Sequence, residues 1–124
     1  MANTSPILIV GAGTTGLAMA CELARDGAPV RIIDKQSGIN PHCRACSIHA
    51  RTLEIFYDFG IVDEILAQGH KVLGMSEYAN GERFMHSSGG EIDSPYPYTV
   101  NLEQCKTESA LERLLRTYDI EVGA

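Results

Sequence analysis

The chain has 124 residues, 44% hydrophobic and 21% charged, the composition of an ordinary globular protein long enough to read as one domain with a real core. Its net charge of −6 argues against nucleic acid or an anionic membrane as the main partner, since both are polyanions. No apolar run approaches the ~20 residues that span a bilayer, and Met1-Ala-Asn-Thr-Ser5 carries no basic, signal-like region.

Ile7–Val10 is continuously apolar, which predicts a strand buried on both faces. From about Thr15 the period changes: Leu17, Ala20, Cys21 and Ala24 mark one face of a helix, with Gly27 placed to end it. Val30–Ile33, rich in β-branched residues, predicts a second strand. Strand, helix and strand within so short a span make a βαβ unit with parallel strands. A polar loop covers Gln36–Cys46. Ile48, Thr52, Ile55, Phe56 and Phe59 then predict a helix ended by Gly60, followed by a short one at Val62–Leu66. Asn80-Gly81 between candidate strands signals a hairpin, because both residues tolerate positive φ. Gly89-Gly90, Pro95 and Pro97 predict irregular chain. Leu111, Leu114, Leu115 and Tyr118 form a helical stripe, and Ser109 with Glu112 has the spacing of a capping box. Ile120–Val122 predicts a third parallel strand.

Gly11-Ala-Gly13-Thr-Thr-Gly16 has the G-x-G-x-x-G spacing between a strand and a helix. There the first glycine allows a tight turn, the second lets a pyrophosphate approach the backbone, and the third lets helix and strand pack closely. The helix start offers N–H groups and a positive dipole end to phosphates. Asp34 ends the second strand, where a carboxylate would accept hydrogen bonds from adenosine ribose hydroxyls and repel a 2′-phosphate, which disfavours NADP. The bland alternative is a glycine-rich turn that binds no nucleotide. These residues do not separate NAD from FAD.

Two further stretches, "RACSIHARTLEIFYDFGIVDEIL" and "SPYPYTVNLEQCKTESALERLL", joined to the glycine motif, resemble the FAD-dependent aromatic hydroxylases. These are single-component flavoprotein monooxygenases related to para-hydroxybenzoate hydroxylase, and the resemblance runs from Pro6 to about Val122. It implies an α/β, Rossmann-like three-layer FAD/NAD(P)-binding fold with a parallel sheet and a small β-hairpin insertion. It also implies FAD on the glycine loop, with the acid matching Asp34 on its ribose. Arg44 matches a family arginine that reaches FAD near the pyrophosphate, and Gln104 matches a glutamine at the ribityl region. The implied cofactor-binding set is Gly11, Gly13, Thr15, Gly16, Asp34, Lys35, Arg44 and Gln104, with no catalytic residue assigned. Three positions depart from the family pattern: Thr14 and Glu103 each replace a proline, and Cys43 replaces a serine. Arg51 and the tyrosines of "SPYPYT" read as structural.

"HCRACSIH" is a rival motif, because His42, Cys43, Cys46 and His49 are zinc-ligand types and C-x-x-C suits a redox pair. Structural zinc sites draw ligand pairs from separated turns, however, and these four crowd together. The expectation is no metal. Cys21, Cys43, Cys46 and Cys105 follow no disulfide framework, which predicts a reduced, cytoplasmic protein.

Residues 1–124 thus read as a truncated, N-terminal portion of an FAD-binding domain, without the family's later Asp-Gly and Gly-Asp segments and without a substrate domain. In the complete enzyme the resemblance implies NAD(P)H as reductant and a small aromatic substrate. The competing reading is a free-standing dinucleotide-binding module, or a remnant, without catalysis. An uncovered edge on the first strand predicts self-association, such as a homodimer.

Overall fold

Short continuous apolar runs become strands here, and one-turn apolar stripes become helices. A computed structural model describes residues 5–42 and 45–124. In chain order its elements are β1 (Ile7–Val10), α1 (Thr14–Arg25), β2 (Val30–Ile33), β3 (Ser47–Ile48), α2 (Ala50–Phe59) and α3 (Val62–Gln68). There follow β4 (His70–Val72), β5 (Gly74–Ala79), β6 (Glu82–Ser88), a 3-10 turn (Gly89–Glu91), β7 (Thr99–Asn101) and α4 (Gln104–Arg116).

The chain forms two compact units. The first joins the described residues up to 42 with residues 104–124. Here β1 and β2 pair in parallel, Ile7 opposite Val30 and Val10 opposite Ile33, as a βαβ crossover requires. Helix α1 packs on both strands and α4 packs on α1. Leu17, Cys21, Ile32, Leu111 and Leu115 supply the buried core. The Cys21 thiol donates to the Leu111 carbonyl at 3.4 Å, and burial pushes its pKa up to about 11, so this cysteine is inert packing.

Two expectations are corrected in this unit. The third strand forecast at Ile120–Val122 is reduced to one parallel bridge, Ile33 with Gly123, on the side of β2 away from β1. Its bonds run from Gly123 N–H to Ile32 O and from Asp34 N–H to Gly123 O, both 2.9 Å. And β1 is not buried on both faces: Leu8 and Val10 are 53% and 76% exposed, because among the described residues β2 is the strand's only partner. Continuous apolar sequence is the pattern of a strand covered on both faces, and the described residues cover one edge of β1 only.

The forecast helix start at Ser109 is also wrong. Helix α4 begins at Gln104, and the Ser109 hydroxyl donates to the Cys105 carbonyl one turn back, at 2.8 Å. A capping-box spacing inside a helix simply places its serine where it can bond backward.

The second unit comprises residues 45–103. β7 lies between β3 and β4 in an antiparallel sheet, and β5 and β6 form a separate hairpin. Asn80 and Gly81 both take positive φ, 51° and 82°, which is the tight-turn geometry the sequence signalled. The core is built from Leu53 and Phe56 of α2, Ile65 of α3 and Val100 of β7. The forecast α2 stripe was partly wrong: Ile48 belongs to β3, and Leu53, not Ile55, is fully buried. Phe56 and Phe59 of the forecast stripe are buried as expected, so the error is confined to the residues before Phe56, where the period was started one element early.

Leu53→Ala should therefore lower stability by about 2–5 kcal/mol through loss of buried area and the cavity left behind. Ile55→Ala should cost clearly less. Urea denaturation followed by circular dichroism reads both, and the reverse order would place Ile55 in the core.

Candidate cofactor site

The turn from β1 into α1 is fixed by two glycines and one acid. Gly11 takes φ +105°, a conformation that L side chains rarely adopt. At position 16 a Cβ would overlap the carbonyl oxygen of Gly11, so helix and turn approach this closely only with glycine there. Asp34, at the end of β2, completes the turn by accepting the Ala12 N–H at 2.6 Å through Oδ2 and the Gln36 N–H at 2.7 Å through Oδ1. The Ala12 bond, followed by the Gln36 bond, holds the Asp34 carboxyl below its ordinary pKa, so it is a carboxylate at neutral pH. Each oxygen keeps a second lone pair for a further donor.

Gly13 differs from its neighbours. It is the N-cap of α1 at φ −74°, and the nearest atom to a Cβ there would be Glu108 Oε1, 4.0 Å away. Neither conformation nor packing requires glycine at this position. Gly13 instead lines a cavity of about 450 Å³ with Asp34, Lys35, Gln104, Glu108 and Gly123, a size usual for small-molecule sites. A side chain at 13 would project into that cavity.

The N–H groups at the start of α1 are shared out. Thr14 gives its N–H at 3.1 Å and its hydroxyl at 3.0 Å to Glu108 Oε1, which also accepts the Gln104 side-chain amide at 2.7 Å. The amides of Gly13, Thr15 and Gly16 have no protein partner among the described residues. They are the donors this helix start can offer an anion.

The structure thus brings Gly13, Asp34, Lys35 and Gln104 to one cavity, with Gly11 and Gly16 forming the turn beneath it and Thr15 in the first turn of α1. Arg44 and Cys43 lie outside the described residues. Glu108 is the residue that sequence reasoning missed. Its signal was its place on the buried stripe of α4, at i, i+3 and i+7 with Leu111 and Leu115. No three His, Cys, Asp or Glu side chains converge among the described residues.

The remaining candidates are structural in geometry. Arg51 pairs with Glu54 on its own helix at 2.9 Å, and Glu54 in turn accepts the Ser94 hydroxyl at 2.9 Å. Tyr96 and Tyr98 meet edge to face with centroids 6.5 Å apart, and the Lys71 ammonium lies 4.8 Å from the Tyr98 centroid.

Residues 4–123 match the family model described as FAD binding domain. The chain belongs to that FAD-binding family. This FAD-binding chain is 34% identical over 116 residues to 6-methylpretetramide 4-monooxygenase of Streptomyces rimosus, covering 92% of the chain but 21% of that protein. It superposes on p-nitrophenol 4-monooxygenase of Pseudomonas putida with a TM-score of 0.86 at 25% identity, over 95% of the chain and 31% of that structure. The flavin-dependent monooxygenase PieE, solved with FAD and substrate, matches with a TM-score of 0.78 at 26% identity, over 95% and 23%. The chain therefore spans about a fifth to a third of the proteins it resembles. The cavity suits the group the family binds: a backbone cradle open at Gly13, helix-start amides without a partner among the described residues, and a carboxylate fixed to accept hydroxyls.

The Asp34 geometry carries a pH dependence. Its folded pKa lies below the ordinary 3.8, so its bonds to Ala12 and Gln36 stabilise the fold fully above the unfolded value. That contribution fades as pH falls through the lowered folded value. Asp34→Asn should lower Tm at neutral pH, and the gap to wild type should narrow below about pH 4. A gap that stays constant into acid would mean that the charge of Asp34 does not secure the turn.

Proposed function

We propose that this chain is the N-terminal, FAD-binding portion of an NAD(P)H-dependent flavoprotein monooxygenase that hydroxylates aromatic compounds. The observation that carries this reading is a glycine at 13 with no requirement inside the protein, beside an anchored Asp34, in a chain that belongs to the FAD-binding family. The relatives' names point the same way, since one acts on p-nitrophenol, an aromatic ring.

In this reading the Gly13 and Thr15 amides receive the pyrophosphate and Asp34 receives the adenosine ribose. Lys35 and Gln104 flank the ligand, and Arg44 adds a charge-assisted contact to phosphate. FAD, when bound, would supply the redox chemistry of the complete enzyme, with NAD(P)H as the reductant. The chain's own part is to hold and orient the nucleotide half. The carboxylate at 34 disfavours a 2′-phosphate at this position, as the sequence suggested. We place the protein in the cytoplasm; among the described residues no helix is long and apolar enough to cross a membrane.

ADP or FAD should raise Tm, because a ligand that binds only the native state stabilises it by mass action. Gly13→Val should remove that shift; the unliganded Tm should fall modestly, since valine is a poorer N-cap residue than glycine and its branches approach Glu108 Oε1. Arg44→Ala should weaken ADP far more than adenosine, by ~1–3 kcal/mol, as expected for a hydrogen bond to a charged group. Equal Tm shifts in wild type and Gly13→Val would sink the assignment.

The open edge of β1 leads to a separate outcome. Among the described residues one edge of β1 has no strand partner, and that edge with the exposed Leu8 and Val10 favours pairing with another chain, in the simplest case a homodimer. Light scattering should show self-association, and NADH with added FAD should not turn over. A stable monomer in light scattering would overturn the first expectation, and NADH oxidation that depends on added FAD would overturn the second.

A further inference from the structure

The Glu108 carboxylate is buried in the first unit, 6% exposed, yet it borders the cavity, and none of the roles above uses it. One of its oxygens gathers three donors from two separated stretches of chain: the Thr14 N–H, the Thr14 hydroxyl and the Gln104 side-chain amide. Ordinarily a helix is capped by the residue preceding it, but Gly13 has no side chain to do so. The cap of α1 is supplied instead from α4, across 94 residues of sequence.

This arrangement has a consequence for an anion at the same helix start. A carboxylate there competes with phosphate for amides and opposes it by charge, so a residue present only for affinity would not be acidic. Its reach is what the geometry uses. By binding the Thr14 N–H, Glu108 fixes the direction of the first turn and so the direction in which the Gly13 and Thr15 amides point. By binding the Gln104 nitrogen, it also fixes the orientation of that side-chain amide at the cavity wall.

Resting on the dinucleotide reading above, we propose that Glu108 is a positioning residue for the cofactor phosphates: it caps α1 in place of a local side chain and holds the Gly13 and Thr15 amides in their receiving geometry. The role depends on an acceptor at that distance, not on negative charge.

Two conservative variants separate reach from charge. Glu108→Gln keeps the acceptor at full length and removes the charge; Glu108→Asp keeps the charge and withdraws the acceptor by one methylene. Calorimetry with ADP and with adenosine gives a phosphate-specific ratio of affinities for each protein. Glu108→Gln should hold or raise that ratio, and Glu108→Asp should lower it about tenfold, the scale of one hydrogen bond to a charged partner. Amide hydrogen exchange at Thr14 should stay slow in Glu108→Gln and quicken in Glu108→Asp. If Tm falls in Glu108→Asp while the ratio holds, Glu108 is merely structural and the proposal fails. It fails equally if Glu108→Gln lowers the ratio as much as Glu108→Asp. A wild-type chain that binds neither ADP nor adenosine overturns the dinucleotide reading itself, and this role with it.

Discussion

Helix α1 sits so near the end of β1 that a single carbon atom at position 16 would collide with the backbone of Gly11. Everything at the cavity follows from that approach. Because the helix starts directly over the turn, its first amides arrive at the mouth of the cavity rather than a turn away from it. Because Gly11 reverses the chain at positive φ, Ala12 presents its N–H to Asp34, and the end of β2 is tied to the loop before the helix begins. The parallel register of β1 and β2 puts Val10 beside Ile33, so Gly11 and Asp34 leave the sheet at the same level. The site is a consequence of strand register and helix proximity before any ligand is considered.

The electrostatics of the cavity look unfavourable for an anion at first sight. Asp34, Glu108 and Glu112 border it, against Lys35. But two of these carboxylates already accept backbone N–H groups, which stabilise their charge locally. Glu112 is paired with Arg116 at 3.2 Å. What then faces the cavity is a set of oriented backbone dipoles among carboxylates whose charge is held by local donors. A chain of net charge −6 can therefore present a receptive helix start, because the N–H groups act at hydrogen-bond range while net charge acts through screened solvent.

The parts of this arrangement that were legible in the sequence are those fixed by short spacings. The glycine loop, the Asn80-Gly81 hairpin and the Gly60 stop depend on backbone conformations that few residue types adopt, and the acid at the end of β2 is placed by its short spacing from the loop. What was misread depended on distant partners. Whether Ile48 opens a helix or pairs in a strand is decided by Val100, far along the chain. Whether Ser109 caps a helix or sits within one is decided by where α4 starts, and its first turn holds Glu108 toward Thr14. The apolar run of β1 says that the strand prefers burial, not that the described residues provide it. Glu108 was invisible for the same reason: its three donors become neighbours only when α4 lies against α1.

The three glycines of the loop carry unequal information about function, though the motif weighs them alike. A turn built only for packing needs glycine at 11, for its φ, and at 16, for lack of space. It has no need of glycine at 13, where the conformation is ordinary and the surroundings are open. Indeed a serine or aspartate at 13 would suit such a turn better, since an N-cap side chain would satisfy an amide of α1 directly. The chain instead leaves position 13 bare and brings a carboxylate from α4 to do the capping from the side. That is an indirect solution to a problem with a simple local one, and it makes sense if the local one would obstruct something. A pyrophosphate lying over the helix start is the obstruction that fits, and it turns the least constrained glycine of the three into the most informative.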